Sequence, residues 1–268
     1  MQTQPQASSV PRRNGNVPVL ITWDVDPDPH IRYALRQQSI DVTLDLCHSF
    51  NLPATFFVTA RAQHLTASTL QWMVAEGHEI GCHGLTHSLE EDFNRMPLER
   101  QRQHIQQATE ELRGRIGQPL LSFRSPRVKT SAHTLQLLYE CGYRVDSSVC
   151  SQRFDFISSN LLNPGWLIAP RLPYQPSSTN PFRRGDLPIW EVPVSAMGLP
   201  FISSTLRVLG TAFMKRFFKV LYLEARRTGK PIVYLAHPTE FVGERPHRRF
   251  RWRHLSPAVI RKRGLLLR

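Results

Sequence analysis

His83 and His87 stand four residues apart in the run Gly81-Cys82-His83-Gly84-Leu85-Thr86-His87. On one helical turn their imidazoles would project from the same face and could share a metal ion. Surface histidines often meet that spacing by accident. Here an apolar strand and Gly81 precede the pair, and a carboxylate cluster occurs elsewhere in the chain. A carboxylate from another strand would complete a set of two histidines and one acid, leaving positions open for water and substrate. Asp24 and Asp26 are the acids that could supply it. In an extended segment, side chains two apart share a face, and two like charges so close call for a cation. One can bind the metal while the other stays free as a general base. Asp24 directly follows the apolar run Leu-Ile-Thr-Trp, where an unpartnered carboxylate would be costly. Asp28, in the Asp-Pro-Asp-Pro turn, fits a capping role better.

Two further ionisable residues follow apolar runs. His237 comes after Ile-Val-Tyr-Leu-Ala, and its titration range suits a general acid near neutrality. Arg124 opens Arg-Ser-Pro-Arg after Phe123. A guanidinium beside a general-base aspartate would orient it and hold it ionised. Taken singly, His237 reads as a structural histidine and Arg124 as a surface ion pair. Their place at the ends of apolar runs, in company with the other four residues, gives them weight.

Positioning these groups requires strands that end side by side. Apolar runs at Val19–Trp23, Ala54–Thr59, His78–Cys82, Leu120–Phe123, Tyr143–Val145, Ile189–Val194 and Ile232–Ala236 read as strands. Between them lie helix-length segments: Leu35 to Phe50, Thr66–Glu76, Pro97–Ile116, Ser131–Cys141 and Thr205–Thr228. Such alternation predicts an α/β fold with a parallel sheet and outer helices, an irregular (β/α) barrel of about seven strands. In such a barrel, functional residues lie where strands end. The Pro-, Ser- and Asn-rich stretch Gln152–Leu187 is too long for a routine connection and reads as a functional loop. Trp166 and Tyr174 within it either stack on a ligand or pack.

These residues, in this order, resemble the NodB-homology polysaccharide deacetylases, carbohydrate esterase family four. The resemblance runs from about Val19 to Phe241. Gly77–His87 is similar to the family's second motif, Phe123–Arg127 to its third, and Tyr234–Phe241 to the histidine-proline motif of one bacterial branch. Gly142–Val149 and Glu191–Ser195 resemble other segments of that branch. The first motif departs from the commonest form, because Val25 separates the two aspartates, as in a subgroup with peptidoglycan-deacetylase-like and deformylase-like members.

The resemblance implies a NodB-like barrel and metal-dependent hydrolysis of an N-acyl group, acetyl first, on an amino sugar of a glycan or glycolipid. It implies that Asp26, His83 and His87 hold a divalent metal, with zinc foremost and cobalt, nickel or manganese as alternatives. Asp24 is then the base, Arg124 orients it, and His237 is the acid. The fourth motif is the weakest match and leaves Asp146 or Glu191 to orient His237. Deformylation of a lipid-linked amino sugar and allantoinase-like hydrolysis of a cyclic amide are the alternatives.

The 268 residues hold 34 Lys+Arg against 21 Asp+Glu, a formal charge of +13 at 41% hydrophobic content, which excludes a disordered or fibrous chain. The excess is local. Residues 1–206 hold 18 basic and 18 acidic side chains, whereas residues 245–268 hold 9 basic and none acidic. The expected organisation is a disordered N-terminus over 1–16, a catalytic domain over 17–244 and a basic extension over 245–268. The extension is read as a solvated tail or a contact for an anionic membrane surface. No nucleic-acid-binding motif accompanies it, so nucleic acid is not an expected partner. The four cysteines show no framework spacing and no secretory signal is visible, so the expectation is reduced thiols in a cytoplasmic protein, with peripheral contact at the inner membrane face.

Overall fold

The computed structural model describes residues 16–154 and 163–242. The expected basic extension and almost all of the expected disordered N-terminus lie outside the described residues.

Strand β1 (Val19–Val25) leads into helix α1 (Tyr33–Ser49), β2 (Thr55–Val58), α2 (Ala67–Ala75), β3 (Glu79–Cys82) and α3 (Leu98–Ile116). There follow β4 (Ser122–Phe123), α4 (Ala132–Glu140), β5 (Val145–Asp146), the short α5 (Pro164–Ile168) and β6 (Trp190–Glu191). A small antiparallel pair, β7 (Ala196–Met197) and β8 (Leu199–Pro200), precedes the long α6 (Ser203–Thr228) and the last strand β9 (Ile232–Ala236).

Seven strands form one sheet in the order β6-β5-β4-β3-β2-β1-β9, every neighbour parallel. The expected (β/α) barrel is therefore present as a curled half-barrel. Its two edge strands, β6 and β9, do not pair. The chain after β6 bridges part of the opening: Ser195 donates its N–H to the Val233 carbonyl at 3.1 Å, and Val233 returns its own to Ser195 Oγ at 3.0 Å.

Local chemistry accounts for the helix ends. Thr66 Oγ1 accepts the Thr69 N–H to start α2, and Ser131 Oγ accepts that of Thr134 to start α4, each at 3.1 Å. Helix α3 stops at Gly117, whose φ of 73° is open to glycine without a Cβ penalty. The amphipathic helices α2, α3 and α4 press Leu70, Met73, Ile105, Leu112 and Leu135 onto the sheet residues Phe56, Ile80 and Phe123, which form the main core.

Strands β4, β5 and β6 are shorter than the apolar runs suggest. The Tyr143 N–H is spent on the Leu138 carbonyl in the turn closing α4, so pairing begins only near Val145. In the long connection, Trp166 and Tyr174 are buried, and Tyr174 donates its hydroxyl to the Pro181 carbonyl at 2.6 Å. Both pack. All four cysteines are free. Among the described residues no helix is long and apolar enough to cross a membrane.

Candidate active site

Every sequence-predicted group lies at the same end of the parallel sheet. Asp24 is within β1 near its end and Asp26 immediately follows it; His83 follows β3, Arg124 follows β4 and His237 follows β9. Between the aspartates, Val25 turns into the core with 1% of its surface exposed. Asp24 and Asp26 thus face the strand-end cluster together, as the period of two requires.

Arg124 is completely buried, and its fork is fully used. Nη1 donates to Asp24 Oδ1 at 2.7 Å and to Thr22 Oγ1 at 2.9 Å; Nε and Nη2 donate to the carbonyl and hydroxyl of Ser147 at 2.9 and 2.8 Å. The guanidinium carbon stands 4.2 Å above the Phe57 ring. This buried ion pair takes one oxygen of Asp24. The other, Oδ2, points towards His83 Nε2 at 3.8 Å.

Asp26, His83 and His87 offer ligand atoms that lie within 4.8 Å of one another. Asp26 Oδ1 is 3.4 Å from Nε2 of each histidine, yet this buried oxygen has no hydrogen-bond partner. The reason lies in the His83 tautomer. Its Nδ1 sits 2.7 Å from the Arg124 carbonyl, an acceptor, so Nδ1 carries the proton of the neutral ring. Nε2 then turns a lone pair towards a carboxylate oxygen. A divalent cation resolves such a contact between acceptors, and two imidazoles with one carboxylate suit zinc. The donor set fits the metal.

The charges push the groups of the site in different directions. Against the effect of burial, Asp24 and Asp26 raise the His83 imidazole. Burial alone would raise the Asp26 carboxyl, but the facing histidines overcome it and hold the carboxyl well below the usual range. Burial pushes His87 down to about 4, despite the opposing pull of Asp26, leaving a neutral ring able to ligate. His237 behaves oppositely. Burial disfavours its charge, but Glu240, with Oε1 3.8 Å from Nδ1, and Asp26, with Oδ2 3.9 Å from Nε2, carry it up to about 10.

Two expectations need correction. His83 and His87 do not share a helical turn: the segment after β3 is an irregular loop, and His87 has a φ of 57°. It is wound around a buried carboxylate, so the spacing of four arises from a different geometry. Nor does Asp146 or Glu191 stand as the acid beside His237. They end the neighbouring strands β5 and β6, where they lie opposite each other, and both are buried, with Asp146 accepting from the Ser148 hydroxyl and Glu191 from the Val149 N–H. The acid beside His237 is Glu240, one turn of 3-10 helix further on. The spacing His-Pro-x-Glu was the available signal for it. Glu91, considered below, gave no signal in the sequence pattern.

A family model described as polysaccharide deacetylase matches residues 12–145, half of the chain. Comparison with curated proteins found no match. Among solved structures, the chain is similar to a Mycobacterium smegmatis protein assigned as a polysaccharide deacetylase, at 20% identity and a TM-score of 0.57, covering 87% of this chain and 81% of that one. It is similar to a Pseudomonas aeruginosa PAO1 protein with the same assignment, at 20% identity and a TM-score of 0.57 over 82% and 78% of the two chains. It is also similar to PuuE allantoinase, at 19% identity and a TM-score of 0.57 over 82% and 77%. At such identities the three structures share its fold.

Proposed function

This chain belongs to the polysaccharide deacetylase family, and on that premise we propose that it is a metal-dependent hydrolase removing an N-acyl group, acetyl first, from an amino sugar of a glycan or glycolipid. The observation that carries the reading is the division of labour between the aspartates. Asp26 presents an unsatisfied oxygen to two imidazoles, while Asp24 is held off by Arg124 with one oxygen still facing the same point.

Asp26, His83 and His87 would hold the ion. When bound, a divalent metal supplies Lewis acidity, acidifying water and polarising the amide carbonyl. The chain's own residues do the proton work. Asp24 Oδ2 takes the proton of the attacking water, and its partner Oδ1 stays fixed by Arg124 through that step. A C–O bond forms at the acyl carbon first, and the C–N bond breaks only once its nitrogen has been protonated. His237, paired with Glu240, gives its proton to the departing nitrogen. A free amino sugar and a carboxylate leave.

A second reading, deformylation of a lipid-linked amino sugar, is favoured by the exposed side chains along α6, which is kinked at Gly210. Val208, Leu209, Phe213, Val220 and Leu223 are exposed there, interspersed with exposed Arg207, Lys215, Arg216, Lys219, Arg226 and Arg227. The helix's single acid, Glu224, is taken up by Arg171 and Lys230. Its first turn adjoins the site: Arg207 lies 3.8 Å from Glu240, the partner of His237. Apolar side chains among cations suit an anionic bilayer surface.

Release of acetate or formate from a panel of N-acyl sugars, lipid-linked sugars and ureides tests both. Acetate from amino sugars is expected. Formate from the lipid-linked substrate alone would favour the second reading, and turnover confined to ureides would overturn both.

A further inference from the structure

Glu91 is wholly buried, four residues beyond His87, and its carboxylate gathers the backbone of the metal-site loop. Oε1 accepts the Leu85 N–H at 2.7 Å. Oε2 accepts the N–H of Thr86 at 2.8 Å, that of His87 at 2.6 Å and the Thr86 hydroxyl at 2.9 Å. His104 Nδ1, from α3, closes the cluster 3.2 Å from Oε1. Three successive peptide N–H groups therefore converge on one carboxylate.

The opposite edge of the loop is held by a cation. Arg127 donates from Nη1 to the His87 carbonyl at 3.0 Å and from Nη2 to the Ser88 carbonyl at 2.7 Å, while its Nε is anchored on Asp92 Oδ1 at 2.8 Å. His87 thus has its N–H fixed by an anion and its carbonyl by a guanidinium. This grip explains how His87 is kept at a positive φ of 57°, a conformation that surrounding structure must impose on a non-glycine residue. It also explains Gly84. With φ at 78°, a Cβ there would meet Pro126 Cγ at 2.7 Å and Glu91 Oε1 at 3.0 Å.

The loop's conformation decides where His87 Nε2 lies, 3.4 Å from Asp26 Oδ1. Glu91 also places a buried carboxylate directly behind the ligand loop. We propose that Glu91, opposed by Arg127, is a positioning residue that fixes His87 beside Asp26 and thereby sets the protein's affinity for a divalent metal. The inference rests on the metal reading of Asp26, His83 and His87.

The test measures zinc dissociation constants of the full-length protein by chelator competition, and the visible spectrum of its cobalt form, for the parent and Glu91→Gln. Circular dichroism and the melting temperature of the metal-free proteins are followed in parallel. The amide keeps the side chain's size but presents N–H donors to N–H donors. Metal-free Glu91→Gln is expected to be folded, with zinc bound about 10–100-fold more weakly and an altered cobalt spectrum, the range typical for groups that orient metal ligands. Parent-like affinity and spectrum in folded Glu91→Gln would overturn the proposal. Should that variant not fold, Arg127→Gln acts on the same loop from its other edge and must also weaken zinc binding; undiminished affinity there overturns the proposal equally. A parent that binds no zinc contradicts the metal reading itself, a distinct outcome.

Discussion

The two aspartates of β1 differ in what surrounds each carboxylate, and the chemistry follows from that difference. Asp24 shares a buried ion pair with Arg124, whereas Asp26 faces two imidazoles. Asp24→Asn should therefore lower kcat/KM by about 10²–10⁴-fold, the usual contribution of a positioned base, with metal content unchanged. Steady-state kinetics with elemental analysis of the same sample checks this; retained turnover would remove Asp24 from the base role. Asp24, Asp26, His83, Arg124 and His237 were legible in the sequence as polar residues at the ends of apolar runs, and His87 by its spacing from His83. Glu91 was not, because its role depends on how loop backbone folds back, which no periodicity encodes; Glu240 was signalled only by its spacing from His237. The structure does bring the two histidines together, through an irregular loop rather than the helical turn their spacing suggested.

Among elements, the alternation that builds the seven-stranded sheet was legible, whereas the short α5 and the antiparallel pair β7–β8 were not. What also escaped was the length of β4, β5 and β6 and the carboxyl pair that ends the last two. For β5 the cause is visible, since the turn closing α4 consumes the Tyr143 N–H. The pair itself has a measurable consequence. Burial, and then the charge of Asp146, push the Glu191 carboxyl well above the usual range. The folded protein therefore holds this proton more tightly than the unfolded chain does. The associated stability is complete below about pH 4.3, the value of a free glutamate, and is lost as pH rises through the folded-state value. Glu191→Gln keeps an acceptor for the Val149 N–H and offers Asp146 a donor. Its melting temperature should fall less than the parent's between pH 5 and pH 8, and should exceed the parent's at pH 8 by about 3–6 °C. Parallel melting curves across that range would show that the pair carries no such proton.

For the molecule as a whole, net charge was a poor guide to the catalytic chemistry. The first 206 residues balance, with 18 basic and 18 acidic side chains, and the cationic excess begins with α6. If α6 meets anionic lipid, full-length protein should sediment with vesicles containing phosphatidylglycerol and not with neutral ones. Charge reversal at Lys215, Lys219 and Arg226 should reduce that binding several-fold, even with residues 245–268 deleted in both proteins. Binding that disappears with the deletion alone would assign the contact to the extension. The curled sheet brings six polar groups from four strand ends to one place, and that convergence is the feature on which the functional account depends. The most direct test is the zinc content of purified full-length protein, wild type against a His83→Ala, His87→Ala double variant, after equilibration with zinc and removal of the excess. The account predicts close to one zinc per chain in the wild type and almost none in the variant. Equal content in the two proteins would contradict it.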